Sequence, residues 1–462
     1  MLNRRPTMFV RTLSVIGALA VLISPLVAQA AAPGSRLWTE KTATYASWSS
    51  VVVSPDGSTV FVTGWMGAGY RTEAHDSATG DVVWSKEFAG GNADGGGTLV
   101  VSPDGTKIFV AGLSTGAATD WDFGTIAYDA SDGTKLWFKR FDGAGGPDQP
   151  SAAAISPDGS TVVVAGSVAT GPDPDHSDYY TDYGTVAYDA ATGSKLWARI
   201  YNPVGDISGR ASDVVITADG KAIVTGTTAR STTSGANLDA VTIAYDLATG
   251  RKVWLTGHGG SEMDVAYALA LSPNHKSAYV VGYRFSIDTD SDFATWALRT
   301  ATGTRRWLSI KDGPASGYDD ARSVVVAPNG TVFVTGNSSG GATNDFLTIA
   351  YEPTAGVRLW SRRYNGPANG VDNPFAITLS ADGSAVYVTG SSRDTTGFDD
   401  WATISYDAAS GVDRWTKRFS GSANVYDRPS SIAASPDGAA IFVAGNMNIP
   451  DAGRGLTIAY AA

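Results

Sequence analysis

Cysteine is absent from the 462-residue chain, and histidine occurs only four times. Without cysteine the protein can form no disulfide bond, no thiolate metal site and no lipid-attachment cysteine. The histidines, His75, His176, His258 and His275, are far apart and show no His-x-x-x-His spacing or other metal-ligand spacing. The sequence therefore predicts neither a cysteine nucleophile nor a histidine-based metal centre.

Long apolar runs are also scarce, and the one that is present lies at the N-terminus. Arg4, Arg5 and Arg11 precede an apolar segment from Leu13 to Val27, and Ala28-Gln29-Ala30 follows it as a small-x-small cleavage site. This order is typical of a secretory signal peptide covering residues 1–30. A membrane anchor is the alternative. No later run is long enough to span a bilayer, so we expect a secreted, extracytoplasmic mature chain without a membrane span.

Basic residues are outnumbered, with 34 Lys and Arg against 45 Asp and Glu. A net charge of −11 argues against nucleic acid as a partner, because nucleic-acid binding depends on basic surfaces. Solubility is the simpler reason for the acidic surface, and attraction of cations is the alternative.

A repeated unit makes up the rest of the sequence, and residues 155–201 illustrate it. A tight turn at Ser156–Gly159 precedes an apolar strand at Thr161–Gly166. A strand at Thr185–Tyr188, a turn at Asp189–Gly193 and a strand at Leu196–Tyr201 follow. With the strand before the first turn, each unit holds four antiparallel strands, which is typical of one β-propeller blade.

Eight copies of this unit can be aligned. The first turn recurs at Gly57, Gly105, Gly159, Gly220, His275, Gly330, Gly383 and Gly438. A closing tryptophan recurs at Trp38, Trp84, Trp137, Trp197, Trp254, Trp307, Trp360 and Trp415. The fold class is thus predicted to be all-β, an eight-bladed propeller of four-stranded antiparallel blades.

The two ends of the chain look like halves of one motif. The last copy stops at Ala459–Ala462, whereas residues 33–38 supply the remainder of the same pattern and end in Trp38. We therefore expect the N-terminal strand to pair into the last blade and close the ring, which also removes an exposed sheet edge. Residues 31–462 would then form a single domain.

The pattern Ala-x-Asp-x-x-Thr-Gly-x-x-x-Trp is complete at Ala187, Asp189, Thr192, Gly193 and Trp197. It resembles the tryptophan-docking repeat of pyrroloquinoline quinone (PQQ) dehydrogenases and their non-enzymatic relatives. The resemblance covers residues 34–462. It implies eight blades and a structural role for the eight tryptophans, each stacked on a neighbouring blade.

Two departures from the dehydrogenases bear on activity. Their adjacent cysteine pair is missing, and their calcium-binding Glu, Asn and Asp cannot be placed on matching positions. No cofactor is therefore assigned; calcium and PQQ remain conceivable without matched ligands. The chain is closer to the binding and scaffolding members.

Two sets of aspartates recur along the repeats and are predicted to lie on one face of the ring. The first set precedes the first strand of a blade and comprises Asp94, Asp148, Asp264, Asp319, Asp372 and Asp427. The second set opens the third strand and comprises Asp122, Asp182, Asp239, Asp292, Asp345 and Asp400. They could form a carboxylate-rich mouth for a metal or cationic ligand. The favoured alternative is structural, with each Asp accepting backbone N–H bonds within its own blade.

Three less regular features are further candidates. An insertion in the third blade contains Asp173, Asp175 and Asp178, which could bind calcium or a sugar or could simply be solvated. Asp288–Asp292 has the oxygen spacing of a calcium loop but lacks its glycine and final glutamate. His258 could act as a base, although an exposed loop histidine is the simpler expectation.

No catalytic set is recognisable in this repeat, which favours a secreted binding or scaffold protein that acts as a monomer. A protein or a carbohydrate is the expected ligand, on the acid-rich face. The alternative is an enzyme that uses the central channel, either a degenerate quinoprotein dehydrogenase or a sugar-directed lyase or hydrolase. Fold alone does not decide between them.

Overall fold

The computed structural model describes residues 31–67, 69–89, 95–116, 120–143, 145–172, 179–202, 209–229, 238–259, 262–421, 425–449 and 452–462. The predicted signal peptide, Asp94 and the insertion acids Asp173, Asp175 and Asp178 lie outside these residues. Within them the chain forms 32 β-strands and no helix.

The first four blades follow the N-terminal strand β1 (Arg36–Tyr45). Blade one contains β2 (Ser47–Val53), β3 (Thr59–Met66), β4 (Gly69–Asp76) and β5 (Val82–Phe88). Blade two contains β6 (Gly95–Val101), β7 (Lys107–Thr115), β8 (Trp121–Asp129) and β9 (Lys135–Phe141). Blade three contains β10 (Gln149–Ile155), β11 (Thr161–Pro172), β12 (Tyr179–Asp189) and β13 (Lys195–Tyr201). Blade four contains β14 (Arg210–Ile216), β15 (Lys221–Ala229), β16 (Leu238–Asp246) and β17 (Lys252–Gly257).

The remaining blades have the same order. Blade five contains β18 (Asp264–Leu271), β19 (Ser277–Ser286), β20 (Asp290–Arg299) and β21 (Arg305–Lys311). Blade six contains β22 (Asp320–Val326), β23 (Val332–Ser339), β24 (Asn344–Tyr351) and β25 (Arg358–Tyr364). Blade seven contains β26 (Asp372–Leu379), β27 (Ala385–Arg393), β28 (Asp399–Asp407) and β29 (Asp413–Phe419). Blade eight contains β30 (Arg428–Ala434), β31 (Ala440–Ile449), β32 (Ala452–Ala461) and β1.

Ring closure occurs in blade eight, whose strand order is β1-β32-β31-β30. Strand β1 pairs antiparallel with β32, with Arg36 opposite Tyr460 and Thr39 opposite Ile458. The Gly34 N–H donates to the carbonyl of Ala461 at 2.8 Å. The predicted eight blades and the closure by the N-terminal strand are both confirmed.

The first strand of every blade lies innermost, where it contacts the first strands of both neighbouring blades. The turn between the first two strands therefore opens on one face of the ring, together with the Asp-x-x-Thr-Gly turn. We call this the turn face. The loops between strands two and three and the links between blades lie on the opposite side, the connection face.

Blades are held together by tryptophans in their outermost strands. The Trp197 indole N–H donates to the carbonyl of Leu247 in the next blade at 2.7 Å, and its ring packs against Tyr245. The indoles of Trp38, Trp84, Trp137, Trp254, Trp307 and Trp360 donate equivalently, to Ser77, Ala130, Ala190, Thr300, Pro353 and Ala408. Trp415 packs against Tyr460 across the last seam. Each interface between blades is therefore stabilised by a tryptophan near the outer edge of the ring.

A glycine lies beneath each indole because the site excludes any side chain. Gly250 has a φ of +67°, and a Cβ built there would lie 2.6 Å from the Trp197 ring. Gly34 has a φ of +73° and lies as close to Trp415. The N-terminal segment thus supplies both the last strand and the glycine on which the eighth tryptophan rests.

Candidate functional site

The two aspartate sets meet on the connection face, at the junctions between blades. Asp148 precedes blade three, and its backbone N–H donates to the Trp121 carbonyl of blade two at 2.5 Å, beside Asp122. Its carboxylate accepts the N–H groups of Gly143 at 2.6 Å and Ala169 at 2.8 Å. The side chain is fully buried, so it joins a blade link, its own blade and the preceding blade.

This arrangement repeats around the ring. Asp319 accepts N–H bonds from Gly313 and Ser339, both at 2.8 Å. Asp427 accepts them from Gly421 at 2.6 Å and Asn448 at 2.9 Å. Asp372 accepts the Gly366 N–H at 2.6 Å. These contacts have the geometry of the structural alternative, with carboxylates turned into the protein rather than toward an open mouth.

Asp264 differs, because Arg284 contacts its carboxylate at 3.2 Å. Like the other four described members of the first set it is buried, at 1% exposure or less.

The second set is also buried, and arginines from the outermost strands neutralise part of it. Arg363 contacts Asp345 at 2.6 Å and Arg418 contacts Asp400 at 3.1 Å. These pairs lie between the third and fourth strands of their blades, away from the central channel.

Burial perturbs the first set electrostatically. Desolvation raises the pKa of Asp148 and Asp427 to about 6, against the lowering effect of their backbone hydrogen bonds. The neighbouring charges of Asp122 and Asp400, respectively, raise these pKa values further. These carboxyls therefore titrate in mildly acidic solution although they face no solvent.

One group of acidic side chains among the described residues has the spacing of a metal site. Carboxylate oxygens of Asp122, Asp142 and Asp148 lie within 4.8 Å of one another. Both Asp148 oxygens accept backbone N–H bonds, and Arg140 lies 3.6 Å from Asp122. The group lies at the junction of blades two and three, away from the innermost strands.

Two sequence-derived candidates take other roles. The Asp288–Asp292 segment forms the tip of the hairpin between β19 and β20, and the Thr289 hydroxyl donates to Asp292 at 2.9 Å. His258, expected to be exposed, is instead buried at 3% exposure. Its ring packs 5.3 Å from Trp296 and lies 2.8 Å from the Thr242 hydroxyl. Trp296 fills a position where neighbouring blades have a smaller aliphatic residue, which gives the imidazole a partner.

The mouth of the central channel is where the blades differ most. Every innermost strand carries a bulge at the same position. The bulged residue therefore lies on the innermost strand of its blade, and the residue two before it lies on the same strand, nearer to the connection face. In blades one to four and in blade eight the bulged residue is small: Ser49, Gly97, Ser151, Ser212 and Ser430. In blades five to seven it is Tyr267, Arg322 and Phe375.

Two arginines flank these three residues. Arg210 in blade four and Arg428 in blade eight each stand two residues before the bulge of their own strand. We call Arg210, Tyr267, Arg322, Phe375 and Arg428, from five successive blades, the mouth arc. The Arg322 guanidinium lies 5.9 Å from the centre of the Tyr267 ring, and that of Arg428 lies 4.1 Å from the Phe375 ring. Each of these arginines thus covers an aromatic ring of the preceding blade.

The charges of the arc are only partly balanced. Asp320 pairs with Arg322 at 2.9 Å and accepts the Tyr318 hydroxyl at 3.3 Å. Within the described part of the chain, neither Arg210 nor Arg428 forms an ion pair. Burial, and then the nearby charge of Arg322, lower the pKa of Arg428, and Asp399 opposes this. The arc is therefore a locally cationic and aromatic patch on an acidic protein.

Sequence reasoning did not identify this arc, although a signal was available. Tyr267, Arg322 and Phe375 each stand three residues after an aspartate of the first set, where other blades have serine or glycine. Aligning blades on that aspartate would have shown the substitution. It does not show that the position lies beside the channel, because that depends on which strand of the assembled blade is innermost.

Comparison with known proteins gives the family. A family model described as "Outer membrane protein assembly factor BamB" matches residues 25–307 and, in a second overlapping match, residues 182–444. The chain belongs to the PQQ-like β-propeller repeat family. The resemblance inferred from the repeat is therefore confirmed. Among curated proteins, no sequence matches this PQQ-like propeller.

Solved structures similar to the PQQ-like propeller have low sequence identity and show the fold alone. BamB from Moraxella catarrhalis is 14% identical with a TM-score of 0.52, over 92% of this chain and 99% of that one. Quinohemoprotein alcohol dehydrogenase from Comamonas testosteroni is 14% identical with a TM-score of 0.54, over 92% and 76%. Sqt1 from Chaetomium thermophilum, bound to the N-terminus of ribosomal protein L10, is 11% identical with a TM-score of 0.56, over 91% and 98%.

The geometry bears on two possibilities, a calcium-bound quinone in the channel and a membrane-spanning helix. The described residues of this PQQ-like propeller do not fit a calcium-bound quinone in the channel. Asp320 is already held by Arg322 and Tyr318, and the acidic trio lies outside the channel. In the described residues there is also no helix long and apolar enough to cross a membrane.

Proposed function

We propose that the protein is a secreted binding or scaffold protein, acting as a monomer, whose ligand docks on the mouth arc. The observation that carries this proposal is the asymmetry of the channel mouth. A ring needs similar residues at equivalent positions to pack its blades, whereas a ligand requires blades that differ. Three successive blades carry Tyr267, Arg322 or Phe375 where the other five have serine or glycine, and arginines in the two adjoining blades flank them.

The chemistry of the arc also supports ligand binding. Arginine and tyrosine are enriched at protein interfaces, where they provide contact area together with hydrogen bonds. Here guanidinium groups and rings are already packed on one another, so little conformational freedom would be lost on binding. A protein ligand is in keeping with the structural neighbour bound to the N-terminus of a ribosomal protein.

The test compares the wild type with a Phe375→Ala/Arg428→Gln variant. Extracytoplasmic proteins from the source cells would be passed over each immobilised protein, and bound proteins quantified by mass spectrometry. We expect at least one protein to be retained on the wild type and reduced tenfold or more on the variant. Purified, that protein should show the same difference by calorimetry. Equal retention on both would contradict docking on the arc.

Catalysis is the competing function and has a direct assay. The mature protein would be incubated with PQQ and calcium, and reduction of an electron-accepting dye measured with alcohols and sugars as substrates. No turnover above that of the heat-denatured protein is expected. Reproducible turnover would replace the scaffold function by that of a quinoprotein dehydrogenase.

Secretion is tested by the position of the mature N-terminus. If residues 1–30 are a signal peptide, the full-length chain expressed in a bacterial host should yield an extracytoplasmic protein that begins at Ala31. N-terminal sequencing of the fractionated protein gives the result. Recovery of the chain from the cytoplasm with Met1 and residues 2–30 retained would contradict it.

A further inference from the structure

At one end of the mouth arc a cavity of about 260 Å³ opens between blades three, four and five. Arg210, Thr227, Leu238, Val265 and Tyr267 contribute to its lining, and we call it the mouth cavity. It is smaller than the roughly 300–1,000 Å³ of pockets that hold drug-sized ligands. A group about as large as one amino-acid residue would fill it.

Two polar side chains of the mouth cavity, Arg210 and Thr227, have neither a carboxylate nor a hydrogen-bond partner for their side chains among the described residues. Arg210 is exposed, and within the described residues no carboxylate neutralises it. Thr227 is 6% exposed, and its Oγ1 has no hydrogen-bond partner in the described chain. An unsatisfied buried hydroxyl costs roughly 1–3 kcal/mol. That oxygen has less than 1 Å² of accessible surface, so of these two groups only Arg210 can be reached by a ligand.

The remaining wall is apolar. Leu238, Val265 and Tyr267 line this part of the cavity. A ligand that matches these walls therefore carries an anion for Arg210 and a short apolar group for Leu238, Val265 and Tyr267. Arginine binds carboxylates through two parallel hydrogen bonds, so a carboxylate is the anion that this combination favours.

A second cavity differs from the mouth cavity in the state of its polar groups. On the turn face, about 650 Å³ between blades one and two is lined by Asp56, Asp104 and Asp129. Each of these carboxylates already accepts hydrogen bonds within its own turn. That cavity therefore has no acidic group that needs a ligand.

We propose that the mouth cavity binds a carboxylate adjacent to a short aliphatic group, the chemistry of a peptide C-terminus ending in Leu or Val. This inference rests on the proposed function in placing the ligand on the same face, and it names the chemical class that the arc receives at the Arg210 end. A free branched-chain carboxylic acid has the same chemistry, so the experiment must separate the two sources.

The experiment is calorimetric titration of the mature protein with acetyl-Gly-Gly-Gly-Leu, its C-terminal amide, and 4-methylpentanoate. We expect the peptide acid to bind and the amide to bind at least tenfold more weakly. Tighter binding of the peptide than of 4-methylpentanoate identifies a peptide as the source, and the reverse identifies a free acid. Absence of binding by both acids would overturn the proposal.

Two variants and a control locate the binding. Arg210→Gln should weaken the peptide at least tenfold. Arg251→Gln, at an exposed position on the turn face of the same blade, is the control and should leave this affinity unchanged. If Arg428→Gln weakens binding and Arg210→Gln does not, the mouth cavity is excluded while docking on the arc stands.

Discussion

At the scale of single residues, buried titratable groups on the connection face respond to acid in opposite directions. The pKa values of Asp148 and Asp427 are raised above that of an unfolded aspartate, so their contribution to stability is greatest below pH 4 and is lost as the pH rises through about 6. The pKa of His258 is lowered to about 3, first by burial and then by the charge of Arg305. The folded protein keeps His258 neutral, so the free energy of unfolding decreases once the pH is low enough to protonate this histidine in the unfolded chain.

The His258→Gln variant isolates one of these effects. Between pH 7.5 and pH 5 the unfolded wild type gains a proton at His258 and the folded state does not. The wild type should thus lose about 2 kcal/mol of unfolding free energy relative to the variant over this range. Urea denaturation at both pH values measures the difference. An equal pH dependence for the two proteins would show that His258 can be protonated in the folded state.

At the scale of the element, the turn glycines show how the repeat pattern produces the blade. Gly250 and Gly438 have nearly the same left-handed φ, +67° and +72°. Only Gly250 lies beneath an indole, because its turn joins the two outer strands. Conformation alone therefore does not distinguish the two positions, whereas packing does.

Gly250→Ala and Gly438→Ala should separate these two costs. Both substitutions place a side chain in the left-handed region, at about 1–2 kcal/mol. At Gly250 the Cβ would also meet the Trp197 ring at 2.6 Å, adding about 1–3 kcal/mol of overpacking. At Gly438 no atom lies within 4 Å. Denaturant midpoints of variants with equal m-values give the loss of unfolding free energy for each substitution. Equal losses would mean that the Trp197 ring moves aside at no energetic cost.

At the scale of the whole molecule, closure makes the seam between blades eight and one equivalent to the other seams. Trp38 belongs to the first strand of the chain, yet it is 9% exposed and its indole donates to Ser77 at 2.9 Å. Trp254, in the middle of the chain, is also 9% exposed and donates to Thr300 at 2.8 Å. The seam differs in one respect, because Trp38 stacks on His75 where most blades offer a tyrosine.

Trp38→Ala and Trp254→Ala should therefore destabilise the protein by similar amounts, about 3–5 kcal/mol each. Trp121→Ala is the control, since that side chain is 47% exposed and should cost far less. Thermal unfolding of the three variants makes the comparison. A much smaller effect at Trp38 than at Trp254 would show that the seam opens before the ring unfolds.

The local pattern of the sequence accounts for most of the fold. Turn residues such as Ser156–Gly159 fix hairpins through contacts a few residues apart, and eight copies of such a hairpin pattern define eight blades. The complementary ends, Ala459–Ala462 and residues 33–38, also predicted closure. These features are local or repeated, so they can be read without knowing which blades touch.

Tertiary structure alone decided what the recurring residues do. For the first-set aspartates the sequence favoured a structural role, but the N–H groups that bind them, such as those of Gly143 and Ala169 at Asp148, are brought together only in the assembled blade. His258 looked exposed because its partners, Thr242 and Trp296, lie 16 and 38 residues away along the sequence. The mouth arc joins residues on the innermost strands of five blades, and contacts between blades decide which strand of each blade is innermost. The fold could be predicted from residues that are close together in the sequence, whereas the candidate site brings together residues that are far apart in it.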